Sequence, residues 1–168
     1  MREQLFADIC DQLLAKVPEL RWIDYDWGQL DHPELSEALQ FDCVLVSFPD
    51  IAWDSLTRGA QDGVVNVLIK IGVDMYNDSH IANGVTAPDR AAAITKLGLV
   101  NKIQTALHGF EGDYFNKLQR VKSREEKRND GLKVFQEYFV TRMNDNSGAI
   151  NYEQVNAAPK VTGTFNAG

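Results

Sequence analysis

The sharpest hydrophobic pattern in the chain is VVNVLIKIGV, Val64–Val73. Val65, Val67, Ile69, Ile71 and Val73 alternate with Asn66, Leu68, Lys70 and Gly72. Period-two alternation in β-branched residues predicts a strand with its valine–isoleucine face buried. It is the natural centre of a sheet, and the rest of the chain must supply what covers it.

Upstream, Leu5, Phe6, Ile9, Cys10, Leu13, Leu14 and Val17 recur at helical spacing, which predicts a helix over Arg2–Val17 closed by Pro18. Glu3 and Asp8 lie early in it and Lys16 late, as the helix dipole prefers. Arg21–Tyr25 reads as a short strand. Asp26–Gln40 is a connection holding Gly28 and Pro33, with a helical turn at Glu34–Leu39. Phe41–Phe48 is apolar on both faces, the mark of an interior strand, and Pro49 is expected to stop it. Ile51–Thr57, carrying Trp53, is a weaker strand. The Asp62–Gly63 pair signals a hairpin turn before the central strand. Three strands with short joints imply an antiparallel meander.

Beyond the loop Asp74–Ala87, Thr86 is expected to cap a helix with Pro88 in its first turn and Asp89 three residues on. Ile94, Leu97, Val100, Ile103 and Leu107 form its stripe, and Gly109 ends it. This helix is expected to cover the Val65–Val73 face. Tyr114–Arg128 and Leu132–Met143 then form a hairpin about Asn129–Gly131. A turn centred on Asp130–Gly131 places Arg124 opposite Glu137, Val121 opposite Val140 and Leu118 opposite Met143. In that register Phe135 and Phe139 share a face with Lys122, Arg124 and Glu126. They are either a surface covered by another chain or part of this chain's own core.

These elements predict an α+β domain over residues 1–143: a mainly antiparallel sheet of about five strands against two helices, with a long C-terminal β-hairpin. Residues 144–168, with five Asn, three Gly and four Ala, are expected to form a flexible tail, either disordered or ordering on a partner.

A length of 168 residues suits one domain, and 44% hydrophobic with 24% charged residues is ordinary globular composition. The net charge of −7 argues against a general nucleic-acid binder. Residues 1–50 hold eleven acidic and three basic side chains, so the charge is unevenly spread. That bias either reflects chance or prepares unlike surfaces to meet on self-association. Cys10 and Cys43 both fall in apolar patterns and read as small buried hydrophobes in a reducing compartment rather than a disulfide. Met1–Leu20 carries Glu3, Asp8 and Asp11 through its middle, unlike a signal peptide, and no apolar run is long enough for a membrane span. The expectation is a soluble chain made in the cytoplasm, with no membrane partner.

Candidate chemistry is thin. His32, His80 and His108 are scattered, and Asp31-His32-Pro33-Glu34 is a weak ligand cluster. HExxH, paired CxxC, P-loop and GxSxG patterns are all missing. No catalytic residue, metal or cofactor is expected. What stands out is basic: Lys117, Arg120, Lys122, Arg124, Lys127 and Arg128 crowd the first arm of the last hairpin. On a regular strand Arg120, Lys122 and Arg124 share one face. With Phe135 and Phe139, this cluster is the candidate subunit or partner interface. It can meet DNA phosphates, the acidic first third of a neighbour, or only water, as charges guarding a sheet edge.

The order of these features resembles the tail-terminator, or tail-completion, proteins of long-tailed bacteriophages. The resemblance rests on the helix Leu5–Leu14, the strand core Cys43-Val44-Leu45-Val46, the strand Val65–Val73, the helix end Ile103-Gln104-Thr105-Ala106-Leu107-His108-Gly109 and the final core Tyr138-Phe139-Val140. It covers about residues 3–143; the long 26–40 connection and the tail depart from the family pattern. It implies a non-enzymatic virion protein in the tail or neck: a homo-oligomeric ring, usually a hexamer. Such a ring caps the tail-tube protein, docks the head–tail connector and lets DNA pass its lumen. A head–tail joining or head-closure neck protein is the alternative. A small enzyme or ligand-binding domain is the alternative of another class.

Overall fold

The computed structural model describes residues 1–32, 39–74, 81–82, 85–86, 90–128 and 132–148. Among them are helices α1 (Arg2–Lys16) and α2 (Arg90–Leu107) and strands β1 (Trp22–Tyr25), β2 (Cys43–Ser55), β3 (Gln61–Asp74), β4 (Ile81–Ala82), β5 (Val85–Thr86), β6 (Gln119–Glu126) and β7 (Leu132–Asp145). Five strands form one sheet in the order β1-β2-β3-β7-β6, so β3 is its centre, as its alternation predicts. The fold is α+β. The sheet is mostly antiparallel, but β1 runs parallel to β2, pairing Trp22 with Cys43 through Tyr25 with Val46.

Both helices lie on one face of the sheet. Leu5, Ile9, Leu13 and Val17 of the first segment and Ile103 and Leu107 of α2 close over Val65, Val67, Ile69, Ile71 and Val73. The apolar stripe of α2 is rotated from the predicted one. Ile94 and Leu97 are 51% and 43% exposed, while Ala93, Leu99 and Ala106 are buried. On the other face Leu30, Leu39, Cys43, Leu45 and Val134 make a smaller cluster with Trp22 and Phe41 against it. Residues on both faces of β2 are therefore buried, as expected for an interior strand.

The expected three-strand meander is a two-strand hairpin. Pro49 does not end the strand: β2 runs through it, and the register with β3 shifts between Ser47 and Asp50. A proline fits there because it has no N–H to donate, and β1 pairs with β2 only up to Val46. The reversal between β2 and β3 is made by a short 3₁₀ turn, Thr57–Gly59, with Arg58 and Gly59 at positive φ. Asp62 and Gly63, expected as the turn, belong to β3. Gly63 instead leaves room for an indole: a Cβ there would lie 2.6 Å from Trp53 Cε3.

Thr86 pairs with Ile81, and α2 is described from Arg90 onward. The Pro88 and Asp89 signals, the helical turn at residues 34–39 apart from Leu39, the Asn129–Gly131 turn and the tail beyond residue 148 lie outside the described residues. Gly109 follows α2 at positive φ, as predicted, and its N–H donates to Leu118 O.

Candidate interaction surface

The last hairpin carries the candidate residues, and its register differs from the expected one. Glu137 stands opposite Ser123, Gln136 opposite Arg124 and Tyr138 opposite Lys122, while Arg120 stands opposite Phe139. One extra residue, Val121, is accommodated between Arg120 and Lys122, and its side chain is 60% exposed. A bulge of this kind breaks the period-two rule locally. Arg120 is thereby turned to the helix side, where its N–H donates to His108 Nδ1 at 3.3 Å and its guanidinium lies 3.9 Å from Glu137. Lys122 is on the opposite face, 5.3 Å above the Tyr138 ring. The three cations therefore do not share a face, and Phe135 and Phe139 do not share one with Lys122 and Arg124.

Phe139 is 1% exposed and belongs to the chain's own core. Phe135 packs against that core from the rim, with Leu97 and Val100 along a groove of about 320 Å³. Arg128 is turned inward: its guanidinium donates to Leu30 O at 2.5 Å and to Glu126 at 3.2 Å, with Asp31 at 3.5 Å. Lys117, Arg124 and Lys127 are exposed, and no ion pair holds them among the described residues.

Part of the acidic first third is used within the chain. Asp26 and Asp31 hold Lys70 at 3.0 and 2.9 Å, Asp42 holds Lys96 at 2.6 Å, and Glu19 pairs with Lys102. Burial pulls the Lys70 ammonium down, but hydrogen bonds to Asp31 and Asp26 outweigh it and hold its pKa above the ordinary value. The segment is acidic in sequence, yet in space these carboxylates meet cations from β3 and α2. It offers less free negative charge than the sequence implies.

Glu137 is the polar residue that sequence reasoning misplaced. It is 2% exposed, accepts from Gln104 Nε2 at 2.9 Å, and accepts from the Ser123 hydroxyl. It ties α2, β6 and β7 together. The signal was present: a glutamate midway between Phe135 and Phe139 on a core-facing alternation needs buried partners.

Both cysteines are free thiols, and burial pushes each up to about 11. Neither is primed as a nucleophile. Among the described residues no group of three or more His, Cys, Asp or Glu could hold a metal ion. The groove of about 490 Å³ between α1 and α2 is lined by Gln12, Lys16, Asn101, Lys102, Thr105 and Ala106. Carboxylate, imidazole and thiol are missing from that lining, so it presents no acid–base pair. No described helix is long and apolar enough to cross a membrane. What the described surface offers is contact: an open strand edge with unpaired cations.

No family model and no curated protein sequence matches the chain. Solved structures do. A chain from the virion of a native gene transfer agent particle superposes with a TM-score of 0.54 at 14% identity, covering 84% of this chain and 95% of that one. The likeness is one of fold, and it extends over nearly the whole of the virion chain.

Proposed function

We propose that the chain is a virion structural protein of a phage or phage-like particle, acting as a tail terminator. It forms a ring that caps the tail tube and presents its other side to the head connector. The observation that carries this reading is the near full-length likeness to a gene transfer agent virion chain. The element order that resembles tail terminators supports it, as does a surface whose unpaired cations lie on an open strand edge. The role is one of binding, and no bond is made or broken. Fluorescent or gold labelling of a tagged copy in particles from the host genome tests it. The label is expected at the neck, between tube and head. Label spread along the tail, or absent from particles, would overturn the reading. Label at the neck combined with uncapped tubes would favour the head–tail joining role.

A further inference from the structure

Two strand edges of the sheet are open among the described residues. β6 pairs only with β7, so its outer edge is free over Gln119–Glu126. β1 covers β2 only from Cys43 to Val46, so the distal part of β2, Asp50–Ser55, pairs with β3 alone. The strand order places these edges on opposite sides of one sheet. β2 and β6 also run in opposite directions, since each of the pairs β2–β3, β3–β7 and β7–β6 is antiparallel. The registers set Gln119–Glu126 at the height of Asp50–Cys43. Copies staggered along the strands, an arrangement that closes into a ring when the strands tilt from its axis, therefore bring the β6 edge to distal β2 in antiparallel orientation, which suits ladder hydrogen bonds.

The two edges carry opposite charge. Residues 119–126 hold Arg120, Lys122 and Arg124 against Glu125 and Glu126, with exposed Lys127 just beyond, whereas residues 49–57 hold two aspartates and no cation. Asp50 and Asp54 are exposed and unpaired among the described residues. They stand opposite Asn66 and Asp62, on the sheet face that looks away from the helices, as do Lys122 and Arg124. We propose that the β6 edge of one copy docks on the Asp50–Ser55 edge of a second copy, head to tail, with Lys122 and Arg124 facing Asp50 and Asp54. Different patches on opposite sides of a subunit are what a closed ring requires. The Val121 bulge and the charges keep β6 from pairing indiscriminately, and the acidic edge selects the partner. The inference rests on the ring reading above and names the contact that builds the ring.

Sedimentation velocity of the full chain over a concentration series tests it. Association is expected at roughly 50 mM salt and weaker at roughly 500 mM. Lys122→Glu with Arg124→Glu, and separately Asp50→Lys with Asp54→Lys, should each weaken self-association by about tenfold or more. An equimolar mixture of the two variants should restore it, because each reversed edge then meets its complement. A fold defect would not be rescued by mixing. The neutral pairs Lys122→Gln with Arg124→Gln and Asp50→Asn with Asp54→Asn should weaken association less. Association indifferent to both reversals, or lost and not restored on mixing, would overturn the contact. So would a wild-type chain that stays monomeric throughout. In those cases labelling at the neck still decides the ring reading separately.

Discussion

Trp53 of β2 and Gly63 of β3 stand opposite each other, which leaves the indole lying over a position with no side chain. Gly63→Ala would force the ring or the strand to move, and overpacking of this kind costs about 1–3 kcal/mol. Chemical denaturation should show that loss in the wild-type background and little of it in a Trp53→Ala background. Equal losses in both would mean that the indole is not the obstacle. In sequence, Asp62–Gly63 carried a hairpin signal because a glycine after an aspartate is the residue pair a tight turn demands. The same glycine also serves close packing, and only the partner strand distinguishes the two uses. Glu137 is the converse case: its burial followed from its flanks, but its partners Gln104 and Ser123 lie on other elements.

Elements with a strong period were legible, and those that break the period were not. β3, α1 and the body of α2 follow from alternation or helical stripes alone. Proline removes a ladder donor and so signals a strand end at Pro49, yet β1 pairs with β2 only up to Val46, and beyond it that donor has no β1 partner to lose. The parallel pairing of β1 depends on how the chain returns after the 26–40 connection, which no local pattern encodes. The last hairpin is one residue out of the expected register, with Arg124 opposite Gln136 instead of Glu137, and such a slip moves side chains to the other face; the bulge at Val121 adds a second offset. That single bulge divides the basic cluster between two faces. The division leads to a contrast between elements. Val67, 1% exposed on β3, faces the core under both helices, so Val67→Asp would bury an unpaired charge. Its cost of about 3–5 kcal/mol is comparable to the whole stability of a marginal domain. Arg124→Glu, on an exposed edge strand with no ion pair among the described residues, should move stability by no more than about 0.5 kcal/mol. Thermal melts of the two variants check both. A cooperative, wild-type-like melt for Val67→Asp would contradict the core as described, and a large loss for Arg124→Glu would assign that side chain a structural role.

At the scale of the molecule, the charge asymmetry along the sequence is the feature that folding changes most. Asp26, Asp31, Asp42 and Glu19 of the acidic first third close on Lys70, Lys96 and Lys102, and Arg128 turns inward to Leu30 and Glu126. Pairing between residues tens of positions apart is invisible to a composition window. What is left open is a basic edge at β6 and an acidic edge at distal β2, on opposite sides of a sheet whose other face is sealed by helices. The core lies inside, and the proposed ring contacts lie at the margins. The fold is shared with a gene transfer agent virion chain.

The most direct measurement is growth of tubes from the tail-tube protein of the same genome, imaged by electron microscopy with and without the chain. Shorter tubes are expected in its presence, each with a ring seated on one end and no further elongation from that end. Tubes of unchanged length with bare ends, at chain concentrations that saturate self-association, would contradict the tail-terminator role.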